Sequence, residues 1–207
     1  MKTKYYLIYV FILLTGCAPS PTPLDLPSDI KAEDMEIETQ HYSIALNSAE
    51  RWKIAKIIEK YDGIILNRDK EPPFCRIMVI KKRVDQDAIE GQSAREMAIY
   101  IRNREKQGMI TFGVDKGLYQ LREVTMAEEI IGEKIFYSMN YKTIPAQEWG
   151  YEKAGLYLYF PKESDNEYYI VAHFSQTYLN ESPSDQSCRP DFVSILESLK
   201  IKSQGEN

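Results

Sequence analysis

The chain has 207 residues, 43% hydrophobic and 28% charged, with 26 Lys and Arg against 31 Asp and Glu for a formal charge of -5. These proportions fit one ordinary globular domain and exclude collagen-like, low-complexity and supercharged chains. Without a leader that carries Lys2 and Lys4 the balance becomes 24 basic against 31 acidic residues, and such a surface repels phosphate backbones, which argues against a nucleic-acid partner.

Residues 1–16 read as a signal peptide, with Lys2 and Lys4 as the basic start and residues 5–14 as an uncharged apolar run of ten. A bilayer core needs roughly 20 apolar helical residues, so this run fits export and not a membrane span. The run ends in Leu14-Thr15-Gly16-Cys17, which resembles the bacterial lipobox. The resemblance implies that the Cys17 thiol takes a diacylglyceryl group, that cleavage falls between Gly16 and Cys17, and that the new amine is fatty-acylated. At about 0.8 kcal/mol per buried CH₂, two or three chains hold a protein on a membrane where one does not. Ala18 after the cysteine implies the outer membrane in a two-membrane cell, facing the periplasm.

Residues 17–39 then form the lipidated cysteine and a tether, with Pro19, Pro21, Pro23 and Pro27 among small polar residues. About twenty such residues in polyproline II reach up to roughly 60 Å from the lipid surface. A single globular domain is expected over 40–203, with 204–207 as a flexible tail.

Within that domain the apolar residues recur mostly at period two. Tyr42-Ile44-Leu46, 63–66 and 76–80 read as strands, with Pro72-Pro73 separating the last two, and 51–60 fits a strand or a short helix. Asp85, Asp87 and Glu90 open like a calcium loop but lack its glycine and closing glutamate in register, so they read as a solvated acidic turn. Ser93-Ala94-Arg95-Glu96 is a capping box that starts a helix over 94–107, closed by Gly108, with Ala94, Met97, Ala98 and Ile101 on one face. Asp115-Lys116-Gly117 marks a turn before a strand over 118–125, and Glu128, Glu129 and Glu133 surround Gly132 as charged hairpin residues. Ile135-Tyr137-Met139-Tyr141, Leu156-Leu158-Phe160 and Tyr168-Ile170-Ala172-Phe174 give three further strands. Pro190 opens a second helix with Phe192, Ile195, Leu196 and Leu199 on one stripe, followed by a short strand over 200–202.

This order of elements resembles the PsbP-like fold. The likeness rests on Tyr42-Ser43-Ile44 leading to Trp52, on Gly63-Ile64-Ile65-Leu66, and on Phe192-Val193-Ser194-Ile195-Leu196-Glu197-Ser198-Leu199-Lys200-Ile201. Asn47-Ser48-Ala49-Glu50-Arg51 stands where the family often has a proline-glycine turn. The resemblance implies an α+β fold, an α/β/α sandwich whose mainly antiparallel sheet is flanked by helices, and a role as an accessory or binding protein.

Once Cys17 is spent on lipid, Cys75 and Cys188 remain as a pair. In an oxidising compartment they either close a loop of about 110 residues, worth roughly 4.7 kcal/mol in the chain-entropy model, or stay as two buried thiols. Catalytic patterns are missing: Gly91-Gln92-Ser93-Ala94-Arg95 has Arg where a nucleophile elbow needs its second Gly, and His41 and His173 are too far apart in sequence to form a local zinc motif. No enzyme activity, cofactor or metal is expected. Twelve of the 15 tyrosines follow the leader. Tyr157 and Tyr159 share one sheet face, either covered by a helix or open as an aromatic platform; with Tyr169 and His173 they make the candidate binding face. The reading is a noncatalytic, membrane-anchored envelope lipoprotein that binds a protein partner as an accessory or assembly factor. The alternative is a carrier or sensor of a small ligand held between sheet and helices.

Overall fold

The computed structural model describes residues 35–46, 52–68, 74–84, 92–146, 150–162, 167–178 and 188–202. Cys17 with its lipobox and prolines, the 47–51 segment, Pro72-Pro73 and the acidic turn at Asp85, Asp87 and Glu90 lie outside those residues. In chain order the elements are β1 (Met35–Glu38), β2 (Tyr42–Leu46), β3 (Trp52–Ile58), β4 (Gly63–Arg68), β5 (Phe74–Arg83), α1 (Ala94–Met109), β6 (Tyr119–Ile131), β7 (Lys134–Pro145), β8 (Tyr151–Tyr159), β9 (Tyr168–Tyr178), α2 (Arg189–Ser198) and β10 (Lys200–Ile201).

Two antiparallel sheets result. The larger runs β3-β4-β5-β9-β8-β7-β6 and the smaller β1-β2-β10. The tether expected over 17–39 is therefore too long, because Met35–Glu38 pairs with β2, Ile37 opposite Ile44. The ambiguous 51–60 stretch resolves as β3 and a short 3-10 turn, Glu59–Tyr61.

Helix α1 starts at the capping box: the Ser93 hydroxyl accepts from the Glu96 amide at 3.3 Å, and the Glu96 carboxylate accepts from the Ser93 amide at 2.8 Å. A cap of this kind is worth about 1 kcal/mol. Gly108 does not close the helix, which continues to Met109 and into a wider π turn, Ile110–Val114. Its end is fixed instead by partners for the last carbonyls, which would otherwise be orphaned. The Tyr119 hydroxyl donates to the Met109 carbonyl at 3.0 Å, and the Leu118 amide to the Gly113 carbonyl at 2.9 Å.

The central strands bury both faces, and period-two alternation divides their side chains between two cores. Tyr157, Tyr168, Ile170, Ala172 and Phe174 join Phe192, Ile195 and Leu196 of α2 with Tyr42, Ile44 and Leu46 of β2. Leu156, Leu158, Tyr169 and Val171 join Met97, Ala98 and Ile101 of α1. Arg102 fastens α1 to the sheet. Only 5% exposed, it donates from Nη1 to the carbonyls of Ala127 at 3.0 Å and Ser138 at 2.9 Å, and from Nε to Ala98 at 3.3 Å. A buried cation is tolerated when its donors are met in this way. Cys75 of β5 is bonded to Cys188, the residue before α2, with Cα atoms 6.5 Å apart and a sequence separation of 113.

Candidate functional site

The four residues of the expected aromatic face do not share a face. In the β8–β9 ladder Tyr157 opposes Ala172 and Leu156 opposes His173, so Tyr157 and Tyr159 point to the α2 side while Tyr169 and His173 point to the α1 side. Tyr157 is fully buried with its ring 4.9 Å from that of Phe192, and Tyr159 lies 5.4 Å from Phe136. Tyr169 stacks on Phe160 at 5.3 Å. His173 Nε2 shares a hydrogen bond with the Tyr141 hydroxyl at 2.9 Å, and burial, aided by the positive charges of Arg76 and Lys82, pushes its pKa down to about 4. Tyr157 and Tyr169 are core, Tyr159 packs partly buried against the α2-side cluster and His173 is half-buried, so these four residues form no open platform.

Beside Tyr157 a polar network anchors the start of α2. Arg189 Nη1 donates to the Tyr157 hydroxyl at 2.7 Å and its Nη2 to Glu129 Oε2 at 3.1 Å. The Tyr157 hydroxyl donates onward to Asn140 Oδ1 at 3.0 Å, while Ser138 and Asn140 donate to the other Glu129 oxygen. Gly155 leaves the room this needs, since a Cβ there would sit 2.6 Å from Asn140 Oδ1 and 2.7 Å from the Tyr157 ring. Of the three glutamates expected as hairpin charges, Glu129 thus has a structural role and Glu128 pairs with Arg95 at 2.7 Å. Gly132 takes the left-handed turn of that hairpin at φ 59°. Among the described residues no three His, Cys, Asp or Glu side chains converge as a metal site would require.

Among the described residues, the most exposed large apolar side chain, Ile130, lies on the edge strand β6. β6 ends the larger sheet, and among the described residues no strand pairs with its outer side. Ile130 is 78% exposed and its cross-strand partner Ile135 50%, with Met126 and Ile99 also exposed. Ile99 and Met126 help line a depression of about 370 Å³ between α1 and β6, with Arg95, Arg102, Ala127 and Glu128. A bulge between Arg122 and Thr125, with Glu123 at φ 54°, interrupts the β6 ladder, leaving 125–131 as its regular stretch. A second depression, about 510 Å³, lies along α2 between Arg189 and Glu197.

A third constellation joins residues that sequence reasoning left apart. Asp62, left-handed at φ 46° after the 3-10 turn, accepts from the Gln40 and His41 amides, each at 3.0 Å, and from Thr39 Oγ1 at 3.1 Å. Its Oδ2 is also 3.0 Å from His41 Nδ1, and His41 Nε2 is 2.7 Å from Lys81 Nζ. The Tyr168 ring flanks both, edge-on to His41 and under Lys81. Each residue stands about twenty positions from the next, so no local motif could have shown the cluster; His41 just before β2 and Asp62 just before β4 meet Lys81 of β5 only when the two sheets pack together.

No protein-family model matches this sequence, and no curated protein matches it either. The structure is similar to the solution structure of cyanobacterial PsbP (CyanoP) from Synechocystis sp. PCC 6803, with a TM-score of 0.52 and 11% identity over 86% of this chain and 97% of that one. Identity that low is a likeness of fold alone. The segments that carried the resemblance, 42–44, 63–66 and 192–201, fall in β2, β4 and the α2–β10 unit, and the fold is PsbP-like: among the described residues, a mainly antiparallel sheet with two helices.

Proposed function

We propose that this chain is a noncatalytic envelope lipoprotein, anchored through Cys17 to the periplasmic face of the outer membrane, that serves as an accessory or assembly protein by docking a partner protein on β6. An α/β/α sandwich, with α1 and α2 on opposite faces of the sheet, is the architecture assigned to it. The division of β8 and β9 side chains between the α1 core and the α2 core supports that assignment.

The unpaired outer edge of β6 beside exposed Ile130, Ile135, Met126 and Ile99 carries the docking reading. An edge strand presents backbone donors and acceptors that an extended segment can pair with, and apolar side chains beside it give that segment pockets at every second residue. The partner is accordingly an extended peptide segment with alternating apolar side chains, long enough to lie along 125–131. Among the described residues, buried side chains occupy both spaces between sheet and helices, which weighs against a small-ligand carrier.

The test is in-cell cross-linking and pull-down of the lipidated protein, compared with Ile130→Lys and with Cys17→Ser. A reproducible envelope partner lost in Ile130→Lys supports docking on β6, and its loss in Cys17→Ser ties the role to the anchor. Equal recovery with Ile130→Lys overturns the β6 surface, and no partner above background overturns the accessory role.

A further inference from the structure

We propose that Lys81 is a covalent capture site for small aldehydes, with His41 as its proton acceptor and Asp62 as the residue that orients His41. This goes beyond the docking role and does not depend on it.

The geometry has the three parts that an activated nucleophile needs: a nucleophile on a base, and a base held by a third group. Lys81 Nζ is 2.7 Å from His41 Nε2 and His41 Nδ1 is 3.0 Å from Asp62 Oδ2. With the Nδ1 proton directed at the carboxylate, the lone pair of Nε2 faces the lysine. Asp62 cannot swing away, because two backbone amides and the Thr39 hydroxyl also hold it. Other lysines rest on groups that keep an ammonium charged: Lys142 on Glu123, Lys200 on Glu36 and Lys202 on Glu38. Among the described residues, Lys81 has no carboxylate at contact distance in such a pair; its ammonium lies against the His41 imidazole and over the Tyr168 ring. Burial holds its ammonium below the ordinary range, against the pull of Asp62 and with the help of Arg83. The cluster is still within reach of solvent, with the His41 side chain 18% and the Asp62 side chain 13% exposed.

In the reaction, the Lys81 ammonium passes a proton to His41 Nε2 and the freed amine pair attacks the aldehyde carbon. The carbonyl pair moves to oxygen, which takes the proton back from His41 to give a carbinolamine. Loss of that hydroxyl as water leaves a protonated imine. The balance is one aldehyde and one ammonium in, one iminium and one water out, with no oxidant or reductant.

The test treats the intact protein with butyraldehyde and cyanoborohydride at pH 7, with peptide mapping of every lysine over time. Lys81 is expected to be alkylated at least ~10-fold faster than the median lysine, a modest gain for a nucleophile with a positioned base. His41→Gln is expected to bring it to the rate of the others while their rates and the melting temperature hold. Asp62→Asn gives an intermediate rate. A Lys81 rate at or below the median, or one unchanged in a folded His41→Gln protein, overturns the proposal.

Discussion

The guanidinium of Arg189, in the first turn of α2, lies 2.7 Å from the hydroxyl of Tyr157, whose ring is wholly buried in the middle of β8. Burial raises the Tyr157 pKa and keeps the hydroxyl neutral, so it accepts from Arg189 while donating to Asn140. Tyr157→Phe keeps the ring but leaves both partners short of a bond. The expected cost is about 1–2 kcal/mol, read as a lower urea midpoint with an unchanged slope. A cost near zero would mean that the network adds nothing to the packing of the ring.

His173 makes stability depend on pH. Its pKa falls from 6.5 to about 4 in the folded chain, so between those values the unfolded chain binds a proton that the folded chain refuses. Stability is then full above the upper value and is lost as pH falls through the window, by up to about 3 kcal/mol. Unfolding midpoints at pH 7, 5.5 and 4.5 should fall more steeply for the wild type than for His173→Gln. Equal slopes would show that the imidazole is not held neutral beside Tyr141.

Leu196 sits 1% exposed in the core that α2 shares with β2 and the main sheet. Leu196→Ala is expected to cost 2–5 kcal/mol, roughly the range for a buried leucine that leaves a cavity. Chemical denaturation measures it, and a change below about 1 kcal/mol would mean that the site collapses or that α2 is loosely held.

The Cys75–Cys188 bond joins two residues that are themselves buried. The protein should show no alkylatable thiol of this pair without both denaturant and reductant. Reduction should lower stability by roughly 2–5 kcal/mol. Two thiols that alkylate in denaturant alone would remove the bond from the account.

Local signals carried the sequence reading a long way. The Ser93–Glu96 box placed the start of α1, Pro190 and the Phe192-Ile195-Leu196 stripe placed α2, and alternation placed β7, β8 and β9. Errors arose where the deciding contact is remote. Met35–Glu38 is short and follows a proline-rich stretch, and only pairing with β2 makes it a strand. Gly108 looks like a stop, yet Tyr119 supplies the carbonyl partner that lets the helix run on. Alternation divided the tyrosines of each strand between its faces, but only the β8–β9 register shows that Tyr169 and His173 lie opposite to Tyr157 and Tyr159. The meeting of His41, Asp62 and Lys81, like the anchoring of Arg102 on two strands, exists only after the sheet register is set.

The placement of β2 bears on the order in which the chain completes its fold. One edge of β2 is closed by β1, eight or so residues earlier, and the other by β10. The Ala45 amide also donates to Ser198 Oγ at 2.8 Å across 153 residues. A nascent chain that ends before residue 188 has an open edge on β2 and lacks Phe192, Ile195 and Leu196 over the core face of Tyr42 and Ile44. Closing contacts of such sequence separation is slow relative to local structure. The fold is thus completed last at its own beginning, and a truncated or stalled chain keeps its first strands exposed to proteases until the final helix and strand arrive.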